Sequence, residues 1–185
     1  MLKKNTIIAA ILFVSTACVP STYTPPSSLN SDKNTFLINK NYDDTWSSLI
    51  DFVTSSNYSV ENLEKASGLI TLYFGKDNPE QYVDCGLFNN QPYVNYLTKE
   101  YKSALVGQMS ITVKSISKNE TRIKINAKYK FTVADLQWKF ATGGSDSVVL
   151  DKTNTASGAN PNRICQPSYK VEKEFYTAIQ GITNN

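Results

Sequence analysis

The stretch Arg122-Ile123-Lys124-Ile125-Asn126-Ala127-Lys128-Tyr129-Lys130-Phe131-Thr132-Val133 decides the fold class. Polar and apolar residues alternate one by one along it. A β-strand sends successive side chains to opposite faces, so this pattern sorts into one buried and one wetted side. A sheet that is apolar on a single face is the antiparallel kind, because parallel sheets are covered on both. Working toward the N-terminus across the Lys118-Asn119 turn, Leu105, Gly107, Met109, Ile111 and Val113 share one face of a second long strand. Toward the C-terminus, Leu136, Trp138 and Phe140 mark a partner strand, and Ala141 to Pro167 reads as polar, glycine-containing loop.

Two helices flank this sheet. Tyr42, Trp46, Leu49, Ile50 and Val53 recur at i, i+4, i+7, i+8 and i+11, one apolar stripe on a helix ending near Asn57. Asn41 is its expected N-cap, and Asp43 and Asp44 suit the positive end of the helix dipole. Val171, Phe175, Ala178, Ile179 and Ile182 repeat the same spacing in a last helix, with Ser168 as expected cap. Phe36-Leu37-Ile38 reads as a first strand. Tyr58 to Leu63 and Leu69 to Phe74 read as two more, joined by Glu64-Lys65-Ala66-Ser67-Gly68. Gly75 to Lys102 is turn-rich, with a short helix expected around Glu80 to Val83. The order is β-α-β-β-β-β-β-α. Burying both helical stripes together predicts an α+β fold, a two-layer antiparallel sheet with two helices packed on one face.

Composition bounds the chemistry. The chain has 185 residues, 41% of them hydrophobic, enough for one core and too little for two comfortable ones. It contains no histidine. Ser-His-Asp and Cys-His catalysis and histidine-ligated zinc are thereby excluded. The formal charge of +3 includes Lys3 and Lys4; without them 17 basic residues face 16 acidic ones. Such a near-neutral chain carries no global field for nucleic acid.

Lys3 and Lys4 belong to a short positive segment followed by Thr6-Ile7-Ile8-Ala9-Ala10-Ile11-Leu12-Phe13-Val14, an apolar run of signal-peptide length. It ends in Ser15-Thr16-Ala17-Cys18, which resembles the bacterial lipobox, with Ser15 where leucine is usual. That resemblance implies a signal peptide over 1–17 and thioether lipidation of Cys18, so the chain would meet the membrane through its N-terminal lipid. Val19, in place of a retention aspartate, implies the outer membrane, with the domain facing the periplasm or the cell surface. An ordinary secretory signal or an uncleaved anchor is the alternative. Residues 18–33, rich in Pro, Ser and Thr, read as the lipidated cysteine and a flexible tether reaching about 20–45 Å. Residues 34–185 then form the single α+β domain.

Within that domain, Tyr42-Asp43-Asp44-Thr45-Trp46, then Ser67-Gly68-Leu69-Ile70, then Cys165 leading into a helix with Phe175, resemble bacterial lipoproteins carrying a BamC-like helix-grip domain. The resemblance implies a helix-grip-like fold in which these are core and turn positions. It also implies a non-catalytic interaction or assembly module with an envelope protein partner and no cofactor. Only one copy of the unit is visible, so a barrel-assembly role does not carry over. Two other classes compete. One is a binding protein for a small apolar ligand or lipid held between the sheet and the C-terminal helix. The other is a hydrolase using carboxylates alone.

With Cys18 committed to lipid, Cys85 and Cys165 remain, and an isolated pair in an oxidising compartment reads as a disulfide. Closing a loop of about 80 residues would contribute about 4 kcal/mol on the chain-entropy model. Weaker signals have bland readings. Ser115-Ile116-Ser117-Lys118 matches S-x-x-K but sits at a strand end without its partner motifs. Asp43 with Asp44 reads as a dipole complement, and Asp77, Glu80 and Asp84 lack calcium-loop spacing, so no metal is expected. Arg122, Lys124, Lys128 and Lys130, with Lys114 and Lys118 nearby, form a basic stripe on the polar face of the long strand. It could meet acidic lipid, polyanionic polymer or an acidic protein, or simply guard the sheet against aggregation. Tyr82, Tyr93, Tyr96 and Tyr101 could be contact anchors or could pack the middle loop.

Overall fold

A computed structural model describes residues 21–27, 31–142, 148–150 and 163–181. The signal segment and Cys18 lie outside the described residues. The alternating stretch forms β9 (Glu120–Val133), a full antiparallel partner of β8 (Ser103–Ser117). The principal sheet continues from β8 to β4 (Leu69–Lys76) and β3 (Ser59–Glu64), and from β9 to β10 (Leu136–Ala141) and β11 (Val148–Leu150). One further strand, β2 (Thr35–Ile38), shares an edge of β9 with β10: β2 pairs with Thr121–Lys124, and β10 with Lys128–Val133. Every pairing is antiparallel, and the sheet is open. Fold class is α+β, with three α-helices among the described residues.

The alternation of β9 is realised residue by residue. Ile123, Ile125, Ala127, Tyr129, Phe131 and Val133 are buried, while Arg122, Lys124, Asn126, Lys128 and Lys130 are exposed. Helix α1 (Tyr42–Ser55) buries Trp46, Leu49 and Val53 and is capped as expected: the Asn41 side chain accepts the Asp44 N–H at 2.8 Å. Helix α3 (Lys170–Gln180) buries Val171, Phe175 and Ile179 completely. The two helices meet through Phe52 and Phe175, whose rings are perpendicular at 4.9 Å, and Phe175 also touches Tyr58 at 5.0 Å. The expected turn between β3 and β4 closes on Gly68, with φ +69°; a Cβ there would lie 2.2 Å from the Val113 carbonyl oxygen.

The cap of α3 differs from expectation. Tyr169, not Ser168, is the N-cap, in left-handed conformation (φ 62°), and the Ser168 hydroxyl donates to the Gln81 carbonyl at 2.8 Å. The same hydroxyl accepts the Lys170 N–H at 3.4 Å, so Ser168 meets the first turn of the helix as well as tying it to the middle segment.

That middle segment is more ordered than its turn-rich composition implied. The expected turn of helix is a 3-10 turn over Pro79–Gln81, and an unexpected α2 spans Tyr93–Glu100. Its stripe is only Tyr93, Val94 and Leu97, too short for periodicity to announce. Around α2 gather β1 (Tyr23–Thr24), β5 (Val83–Asp84), β6 (Leu87–Phe88), β7 (Gln91–Pro92) and β12 (Gln166–Pro167). β1 pairs with β6, β6 with β7, and β12 with β5. Three expectations change here. The segment expected to be a free tether is docked at Tyr23–Thr24. The C-terminal loop forms β12, and within it β11 extends the sheet. Cys85 and Cys165 are joined in a disulfide with 4.0 Å between their Cα atoms. Beside it the Arg163 guanidinium lies against the rings of Tyr23, Phe88 and Tyr93, at 5.0, 4.4 and 4.2 Å from their centroids. Tyr93 is fully buried. Packing therefore explains Tyr93, and Tyr82 is taken up by Glu174 as described below.

Candidate functional site

The outward side of the sheet carries the basic residues singled out from the sequence. The ladder sets Lys114 directly opposite Arg122, and Lys139 directly opposite Lys130. Lys128 lies two residues from Lys130 on the same exposed side. Like charges directly across a ladder are destabilising unless something compensates them. Among the described residues the ion pairs are Lys65 with Asp43 and Lys76 with Glu174, so no cation of this face takes part in one. The face thus holds Arg122, Lys124, Lys128 and Lys130 together, and adds Lys139, which the sequence reading passed over. Its signal was present: Lys139 alternates with Trp138 and Phe140 on the partner strand.

Register draws two outward rows across four strands. One runs Tyr73, Gln108, Lys128, Ala141; the next runs Gly75, Val106, Lys130, Lys139. These residues, with Asn57 just before β3 and Ser59 at its start, line an open depression of about 690 Å³. That volume lies in the range of small-molecule sites. At one end Glu61 accepts hydrogen bonds from Tyr73 Oη at 3.0 Å and from Gln108 Nε2 at 2.8 Å. The row between them, Phe74, Gly107, Tyr129 and Phe140, supplies the backbone floor and sends its rings to the buried side.

On that buried side the packing directly beneath the depression is close. Gly107 is required there, because an added Cβ would lie 2.3 Å from the Phe74 ring and 2.6 Å from the Lys128 carbonyl oxygen. Tyr129 meets Phe74 edge-on at 5.4 Å and stacks on Phe140 at 5.3 Å. Its hydroxyl donates to the fully buried Glu172 carboxyl of α3 at 3.0 Å, and Thr142 Oγ1 donates to the same group at 2.5 Å. Burial raises the Glu172 carboxyl above its ordinary value, against the opposing hydrogen bonds of Thr142, its own backbone and Tyr129. Next to it, Glu174 pairs with Lys76 at 3.0 Å and accepts the Tyr82 hydroxyl at 2.8 Å. Lys76 also rests over the rings of Tyr58 and Tyr82. Desolvation first, and then Glu174, push the Tyr58 and Tyr82 hydroxyls above their ordinary range. Sequence reasoning missed Glu172, although it stands three residues before Phe175 and seven before Ile179, inside the apolar stripe.

The other flagged residues are engaged locally. Ser115 donates to the Ser117 carbonyl at the exposed end of β8, away from Glu172 and the depression. Asp43 pairs with Lys65 at 2.7 Å. Asp84 accepts the Gly86 N–H at 2.9 Å, which closes the turn into the disulfide. Among the described residues no cluster of three acidic or cysteine side chains could hold a metal ion, and no helix is long and apolar enough to cross a membrane. No family model and no curated protein matches this sequence.

Proposed function

We propose that the chain is a lipid-anchored, non-catalytic interaction module of the bacterial cell envelope. Its helix-grip-like domain is held at the outer membrane through Cys18 and turns its uncovered sheet face to an acidic protein partner. One observation carries the reading: the outward face gathers Arg122, Lys124, Lys128, Lys130 and Lys139 with no internal ion pair among the described residues. A complementary acidic surface would remove the cross-strand repulsion and set the orientation of docking. The signal-like N-terminus and the lipobox-like Ser15-Thr16-Ala17-Cys18 support the anchor.

The test is photocrosslinking in intact membranes from a reactive residue at position 124, with one at the exposed Asp51 of α1 as control. A partner captured from 124 and not from 51, lost in Lys128→Glu/Lys130→Glu and weakened by salt, supports the proposal. Equal capture from both positions, insensitive to charge reversal, overturns it. For the anchor, Cys18→Ala is expected to move the protein from the membrane fraction to the soluble periplasm. Continued membrane association would sink that part.

A further inference from the structure

The depression on the outward face contains two glycines with different reasons to exist. Gly107 answers to the buried side, where the Phe74 ring fills the place of a side chain. Gly75 has no such constraint: a Cβ there would meet only the Leu105 carbonyl oxygen, at an ordinary 3.9 Å. Gly75 stands in register with Val106 on the outward side, so the missing side chain leaves room inside the hollow. The surface beside it is apolar, with Tyr73 46% and Val106 43% exposed. Covering such surface is favourable in proportion to the area removed from water. Opposite this apolar half stand Lys130 and Lys139, face to face across the ladder, with Lys128 adjacent. Glu61, at the far end, is held by Tyr73 and Gln108.

We infer that this hollow binds an anionic amphiphile, its apolar body over Gly75, Val106 and Tyr73 and its acidic head among Lys128, Lys130 and Lys139. The inference rests on the outward face being the recognition surface, and it places a small ligand there as well as a protein partner. The head group relieves the repulsion between the lysines, while the body covers the exposed apolar patch. A free fatty acid and an acidic phospholipid share this chemistry.

The experiment uses the full chain in phosphatidylcholine vesicles, photolysed with a diazirine-bearing fatty acid, with labelled peptides mapped by mass spectrometry. Label is expected on the β4 and β8 segments lining the hollow. Laurate should compete for it, whereas inorganic phosphate and laurylamine should not. Gly75→Val, which fills the hollow, and Lys130→Gln/Lys139→Gln, which removes the head-group site, are each expected to lower labelling about tenfold. Diazirine-bearing phosphatidylglycerol forms a second arm: label from it in place of the free acid assigns the ligand to the bilayer. Circular dichroism checks that Gly75→Val is folded, and the lysine variant tests the site if it is not. Label that is scattered over the surface, or unchanged in the lysine variant, overturns the inference. Loss of fatty-acid label with protein crosslinks from position 124 intact would remove the amphiphile and leave the docking reading standing. The reverse result would remove the protein partner and leave the amphiphile.

Discussion

The sheet with α1 and α3 and the annex around α2 are held together by different physics. In the first, long strands pair in register and two helical stripes bury Trp46, Leu49, Val53, Val171, Phe175 and Ile179 against the inner face. Apolar burial spread over many side chains dominates there. In the annex the strands are two residues long, and α2 has eight. So little repeated structure bears its own ordering entropy poorly. The annex is fastened at points instead: the Cys85–Cys165 bridge, Arg163 among three rings, and the Trp138 indole donating to the Arg163 carbonyl at 2.9 Å. A distributed core resists loss of any one contact by cooperation. A pinned annex fails pin by pin.

The largest effect should come from Phe175→Ala, which empties the junction of α1, α3 and Tyr58. Loss of about 3–5 kcal/mol is expected in denaturant unfolding, with both regions melting together. A separate, earlier annex transition that alone absorbed the change would show that Phe175 does not stabilise the shared core. Cys85→Ser should remove about 2–4 kcal/mol of stability. Its signature is regional: amide exchange should accelerate across 83–100 before it does in β8 and β9. The same variant should expose Cys165 to thiol reagents. Arg163→Ala removes the cation from its three rings and is expected to lower stability by about 1–2 kcal/mol, read as faster exchange in β1 and β6. Unchanged exchange there would show that the bridge alone fixes the annex.

The smallest effect is a pH dependence inside the distributed core. Glu172 has its folded value raised above the ordinary 4.5, so the folded state holds its proton more tightly than the unfolded chain. Its contribution is fully present below about 4.5, and stability falls as pH rises from there through the raised folded value. Glu172→Gln keeps two hydrogen-bonding atoms and should flatten that part of the curve. An unaltered slope in the glutamine variant would assign it to another group.

Periodicity made the sheet and both terminal helices legible, because a half-buried strand or helix writes its burial into every residue of a long segment. The expected order β-α-β-β-β-β-β-α is present as β2, α1, β3, β4, β8, β9, β10 and α3. The cysteine pair was legible for a different reason, since two remaining cysteines allow one bridge. The annex was not legible because its contacts join residues far apart in the chain. Tyr23 meets Arg163 across the whole domain, and nothing in either neighbourhood announces the other.

The residue pattern alone fixed which face of β9 is wet, and with it the exposure of Arg122, Lys124, Lys128 and Lys130, because side-chain alternation is a local property of extended backbone. Only the folded chain decided that Lys139 faces Lys130, that Gly75 opens a hollow beside them, and that Glu172 is enclosed under Tyr129. Those facts depend on strand order and register, which arise from long-range packing that local sequence does not encode.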